Sequence, residues 1–154
     1  MTSTGGPASR TDDIAELRDL FARMVAAWDR ADATAYGDVF TEDADYIVFT
    51  GTHYRGRGKI ADAHDALWAR FLKGSRLHGV IDDIRFPGPD VAIVTARGAI
   101  LRWRFSRRHT NKVQTLVAVR HEGTWRFTAF QNTARKRLFE WISSRSEPRL
   151  APNA

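Results

Sequence analysis

"DYIVFTGTHYRGRGKIADAHDALWARFLKG", residues 45–74, separates two folds. A strand-like run leads into a glycine-bearing turn, and a helical pattern follows. Gly51 and Gly56 stand five apart, and Arg57 takes the place of the lysine in a phosphate-binding loop. A strand, a G-x-x-x-x-G-K-[ST] loop and a helix would make an α/β nucleotide site. The chemistry fails here. Arg57 replaces the lysine, Gly58 replaces the hydroxyl residue that would hold magnesium, and no apolar strand ending in aspartate follows at a natural distance. Gly51 instead reads as a hairpin turn and Gly56 as a reversal into the helix. The free N–H groups at that helix start still favour a weak contact with an anion or carbonyl.

Working outward, Ile14, Leu17, Phe21, Met24, Val25 and Trp28 recur at three- and four-residue steps and predict a helix over 12–30. Ser9 or Thr11 suits its cap, and Asp12, Asp13 and Glu16 suit the positive end of its dipole. Asp32 is placed to cap a short second helix reaching about Phe40, which "TEDA" ends before the strand "DYIVF". In the helix of 56–74, Ile60, His64, Leu67, Trp68 and Phe71 form one stripe, and Gly74 is placed to end it. Downstream the pattern is strands: "RLHGVIDDIRF", "VAIVTARGAILRWRFS", "NKVQTLVAVRH" and "TWRFTAFQNT", with "PGPD" and "EG" as turns. The long second strand predicts a bend or bulge near Gly98. A short helical turn around Leu138–Ile142 precedes Pro148 and Pro152.

Helices, a strand pair, a helix and an antiparallel meander predict an α+β fold. A curved, mainly antiparallel sheet wraps around about three helices as a cone-shaped barrel. Its open end is a natural pocket for a small molecule. The expected divisions are a disordered N-terminus over 1–11, the cone domain over 12–134 and a basic tail over 135–154.

With 154 residues, 43% hydrophobic and 27% charged, the chain suits one domain with a real core. It has no cysteine, so disulfides, thiolate metal sites and a cysteine nucleophile are excluded. "MTSTGGPASRTDD" lacks a signal-peptide pattern, and no apolar run approaches a membrane span. The expectation is a soluble, cytoplasmic protein without membrane partners. The net charge is +6 and the pI about 10.3. The tail holds Arg135, Lys136, Arg137, Arg145 and Arg149 against Glu140 and Glu147, half of that excess. A second cluster, "RWRFSRRH", holds Arg102, Arg104, Arg107 and Arg108. Lysine is rare throughout. That fits a coding bias better than phosphate recognition, so nucleic acid is the weaker partner class.

The candidate chemistry centres on His64, which shares its stripe with apolar residues facing the sheet. It reads as a pocket donor or general base, or as a buried histidine bonded to backbone. On the first strand Ala44, Tyr46 and Val48 form the inward set, which leaves Asp45 outside. A buried Tyr46 hydroxyl suits an enolate oxygen. Asp82, Asp83 and Asp90 read as edge or turn residues, so no aspartate shuttle is evident. Gln114 interrupts an apolar strand and needs partners. Trp125, Phe127, Ala129, Gln131 and Thr133 share a face assigned inward, which brings Gln131 to the pocket mouth and leaves Asn132 outside. Trp28, Trp68 and Trp125 suit a flat conjugated guest, or simply a core. His53 and Tyr54 sit at the helix entrance as rim contacts or plain loop residues. His53, His64 and His78 lack the paired spacing of a metal site.

"WDRADATAYGDVFTEDADYIVFTGTHYRGRGKIADAHDALWARFLKGSRL", with "DVAIV", "QTLVAVR" and "GTWRFTAFQNT", resembles the SnoaL-like branch of the nuclear transport factor 2-like superfamily. More narrowly it is similar to the SgcJ/EcaC family of enediyne polyketide gene clusters. The resemblance covers about residues 12–134. It implies the cone fold, a deep pocket and a homodimer through the sheet, with histidine at the His64 position. It implies no single reaction, since such folds host isomerases, cyclases, hydrolases and binders. No dinucleotide, flavin or metal motif supports a cofactor. The expected function is a pocket protein of secondary metabolism that binds a hydrophobic polyketide or polyene. Cofactor-free cyclisation or isomerisation and binding alone both stay open. His64 and Tyr46 are the catalytic candidates; Trp28, His53, Trp68, Gln114, Trp125 and Gln131 are the ligand contacts.

Overall fold

The computed structural model describes residues 9–102 and 111–152. The first helix, α1, spans Arg10–Asp29. Ser9 caps it in a reciprocal capping box with Asp12. Helical residues therefore begin inside the stretch expected to be disordered; residues 1–8 lie outside the described residues. The second helix, α2, spans Ala33–Asp38, with the Asp32 side chain accepting from the Ala35 N–H. Leu17, Leu20, Phe21, Met24 and Trp28 of α1 are buried, as their spacing requires.

The first strand, β1, spans Phe40–Ile47, so "TEDA" lies within it rather than before it. β2 is His53–Arg55 and α3 is Arg57–Arg70. Gly51 and Gly56 both take positive φ, at 86° and 85°. Gly56 is the residue from which α3 starts, and its N–H donates to the Ala44 carbonyl. Arg57 spends its Nε–H on the Phe40 carbonyl at 2.9 Å. The would-be phosphate lysine is thus a staple between helix and strand. Gly74 has φ 70° but does not end the helix, whose cap is Phe71; it turns the chain three residues later.

β3 (Arg76–Gly88), β4 (Val91–Leu101), β5 (Lys112–His121) and β6 (Thr124–Ala134) complete a six-stranded curved sheet. Its order is β2-β1-β6-β5-β4-β3, and only the β1–β6 pairing is parallel. The concave face packs against α1 and α3. The fold is the expected α+β cone.

The register breaks are not where they were expected. β4 runs through Gly98 without interruption. The breaks fall at Asp82 and between Arg85 and Gly88 in β3, between Phe40 and Asp45 in β1, and at Thr128 in β6. Gly98 is glycine for another reason: a Cβ there would stand 2.8 Å from the Gln114 amide nitrogen. The C-terminal segment forms a full helix, α4 (Arg137–Ser146), rather than a single turn. Arg104, Arg107 and Arg108 lie outside the described residues.

One end of the cone is pinned by a buried carboxylate. Asp13 accepts from the Trp125 indole N–H at 3.1 Å and from the Arg10 and Arg120 guanidinium groups. Arg120 also donates to Asp90 in the β3–β4 turn. A buried charge of this kind holds its place only when paired.

Candidate functional site

Tyr36, Tyr46 and His64 meet inside the cone, each at most 3% exposed. α2 supplies Tyr36, β1 supplies Tyr46, and the inward stripe of α3 supplies His64. His64 Nδ1 lies 2.7 Å from the Ile60 carbonyl oxygen. A carbonyl only accepts, so Nδ1 carries the proton, and Nε2 of the neutral ring is an acceptor. Nε2 faces the Tyr46 hydroxyl at 3.3 Å, and that hydroxyl is 2.9 Å from the Tyr36 hydroxyl. The direction follows. Tyr36 donates to Tyr46, Tyr46 donates to His64, and His64 donates to Ile60. The Tyr46–His64 link is the longest and weakest of the three.

Burial sets the protonation states. It lowers the His64 pKa to about 4 against a smaller opposing effect of the Ile60 hydrogen bond. It raises both tyrosines well above the ordinary phenol value. Near neutral pH the chain therefore holds a neutral imidazole and two neutral phenols.

Aromatic rings wall this cluster. Phe130 stacks on Tyr46 at 4.3 Å, and Trp28 and Trp68 pack edge-on at 5.5 Å. The Trp28 N–H is satisfied by Ser75, whereas the buried Trp68 N–H has no partner. Gln114 is also buried, with its Oε1 unpartnered.

The other expected contacts fall elsewhere. Gln131 is exposed, and Asn132 faces inward in its place. The cause is the bulge: Val117 pairs with Ala129 while Ala118 pairs with Phe127, so Thr128 is skipped. Side-chain parity inverts beyond it. Trp125 precedes the bulge and is buried, but it serves the Asp13 network and packs on Phe86, away from the tyrosines. His53 lies on the outer face, bonded to Asp45 at 2.7 Å and exposed. Sequence reading missed Tyr36, whose short helix gave no periodic signal, and Asn132, which the bulge conceals. Among the described residues, no three His, Cys, Asp or Glu side chains are grouped to hold a metal ion. No helix among them is long and apolar enough to cross a membrane. A shallow surface cleft of about 400 Å³ lies between α1 and Gly123–Trp125, where Asp19 and Arg23 pair with each other.

The chain is similar to solved structures of this architecture. A cystatin-like-fold domain of unknown function from Nostoc punctiforme is 26% identical, with a TM-score of 0.77 over 90% of this chain and 88% of that one. An uncharacterised cystatin-like-fold protein from Caulobacter vibrioides is also 26% identical, at TM-score 0.69 over 90% and 98%. The hexachlorocyclohexane dehydrochlorinase LinA of Novosphingobium barchaimii shares the fold at 16% identity and TM-score 0.69, over 82% and 88%. A search of curated proteins finds no match. The family model for the SnoaL-like domain matches residues 9–131, and the chain therefore belongs to the SnoaL-like family.

Proposed function

We propose that the interior of the cone binds a hydrophobic, carbonyl-bearing small molecule of polyketide or polyene type. The observation that carries this reading is the one-directional chain Tyr36–Tyr46–His64 beside the unpartnered Trp68 N–H. A ligand carbonyl is an acceptor, and two donors are suited to it. Trp68 has no competing partner, and Tyr46 gives up only its long link to His64. Tyr46 and Trp68 donate to the oxygen, and His64 Nε2, released by Tyr46, takes a proton from the ligand carbon beside that carbonyl as negative charge builds on the oxygen. This is cofactor-free acid–base chemistry suited to cyclisation or isomerisation. The enediyne pathway rests on the sequence resemblance. A homodimer through the outer sheet face would cover the exposed Val80 and Val113.

A second reading, binding without turnover, is favoured by the lowered basicity of His64. A base works best with a pKa near the working pH, and burial moves His64 below it. Tryptophan quenching by a panel of polyenes and aromatic polyketides, with product analysis, tests both. Saturable quenching is expected. In His64→Gln, loss of product with affinity kept supports catalysis; a change in affinity alone supports binding. Absence of quenching by every compound, beside salt-sensitive binding to duplex DNA, would replace the pocket reading with a nucleic-acid one.

A further inference from the structure

Beyond Phe130, Gln114 of β5 and Asn132 of β6 stand opposite each other. They continue the concave face of Leu116 and Phe130, both buried. The two Cβ atoms of such a pair lie about 5 Å apart. Gln114 is only 8% exposed, and its side chain lies across Gly98, where any Cβ would crowd the amide nitrogen at 2.8 Å. The oxygens of both amides, Gln114 Oε1 and Asn132 Oδ1, are buried and accept no hydrogen bond. Two adjacent acceptors left unpaired cost free energy that a donor would recover. An ether, carbonyl or carboxylate oxygen has no proton to give these two oxygens.

We propose that Gln114 and Asn132 form a subsite for a hydroxyl or amino group on the ligand. The inference rests on the reading of the cone interior as a ligand pocket. The register gives the spacing. Phe130 pairs with Tyr46, and Asn132 is two residues further along the same strand. Two residues at about 3.3 Å and one strand step of about 4.8 Å put the Asn132 Cα roughly 8 Å from the Tyr46 Cα, with Gln114 one strand further. The ligand is then a hydroxy- or amino-carbonyl compound with a rigid apolar body between its two polar ends. Tyr46 and Trp68 read the carbonyl end, and the amide pair reads the other.

The probe is a naphthaldehyde bearing a hydroxyl on the ring remote from the aldehyde, compared with the unsubstituted naphthaldehyde. Tryptophan quenching gives both dissociation constants. The hydroxylated compound is expected to bind roughly tenfold tighter, although it is the less hydrophobic of the two. Gln114→Met with Asn132→Leu should erase that preference while leaving the unsubstituted compound bound. Gly98→Ala keeps both amides but displaces Gln114, so it should weaken the preference without a large change for the unsubstituted compound. Equal binding of the two compounds to the wild-type protein overturns this inference and leaves the pocket reading standing. Binding of neither overturns both. The wild-type comparison decides the matter even if the double variant does not fold.

Discussion

His64 makes the stability of this protein depend on mild acid. Burial lowers its folded pKa from 6.5 to about 4, and the groups it bonds are a carbonyl and a phenol rather than a carboxylate. The unfolded chain therefore takes up the proton first. Stability present above the ordinary histidine value is lost as pH falls through 6.5, and the loss stops below about 4. At about 1.36 kcal/mol per pH unit, the full effect is on the order of 3 kcal/mol, of which about 2 kcal/mol is lost by pH 5. Urea unfolding at pH 7 and pH 5, for wild type and His64→Leu, isolates it. Leucine does not titrate, so only the wild type carries the pH dependence of this site, and every other group cancels. The stability gap between the two proteins should narrow by about 2 kcal/mol between pH 7 and pH 5. A gap that stays constant, or widens in acid, would refute the neutral buried imidazole and with it the direction assigned to the hydrogen-bond chain.

Tyr46→Phe leaves the Tyr36 hydroxyl and His64 Nε2 without partners, and is expected to cost about 1–3 kcal/mol in urea unfolding. It should also raise the dissociation constant of a carbonyl ligand more than that of the matching hydrocarbon. Asp13→Ala removes the acceptor shared by Arg10, Arg120 and the buried Trp125 indole, and is expected to cost about 1–3 kcal/mol by the same assay, with ligand preference unchanged in the folded fraction. Deleting Thr128 removes the bulge and turns Phe130 and Asn132 outward, so thermal melting should lose its cooperativity. Thr128→Val, which keeps the chain length and loses only the bond to Thr41, should cost under about 1 kcal/mol.

Most of the architecture was legible because its signals are periodic. The helical stripe of Leu17, Phe21, Met24 and Trp28, the Ser9 and Asp32 caps and the inward Ala44–Tyr46 face follow from spacing and capping chemistry. Rejection of the phosphate loop was legible from two residues, and the Arg57 staple shows what replaces it. What stayed hidden is aperiodic. A bulge has no composition signature beyond its neighbours, and Thr128 looks like any strand residue. One unseen residue was enough to exchange Gln131 for Asn132. Tyr36 was hidden for a different reason. Its helix is six residues long, too short for a face to be read from repetition, so only tertiary packing reveals where its hydroxyl goes.

The polar groups of the interior divide in a way that packing alone does not explain. Tyr36, Tyr46 and His64 satisfy one another and cost the fold little. Trp68, Gln114 and Asn132 each bury an atom with no partner, at about 1–3 kcal/mol apiece. Apolar residues of similar volume would relieve that cost. A core selected for stability alone would hold leucine or phenylalanine at these places. The unpaired donor lies on α3, four residues beyond His64, and the unpaired acceptors lie on the facing strands past Phe130. They bracket the tyrosine–histidine chain rather than joining it. That arrangement suits a guest with an acceptor at one end and a donor at the other. The chain between them is a set of groups able to move a proton when the guest's charge shifts.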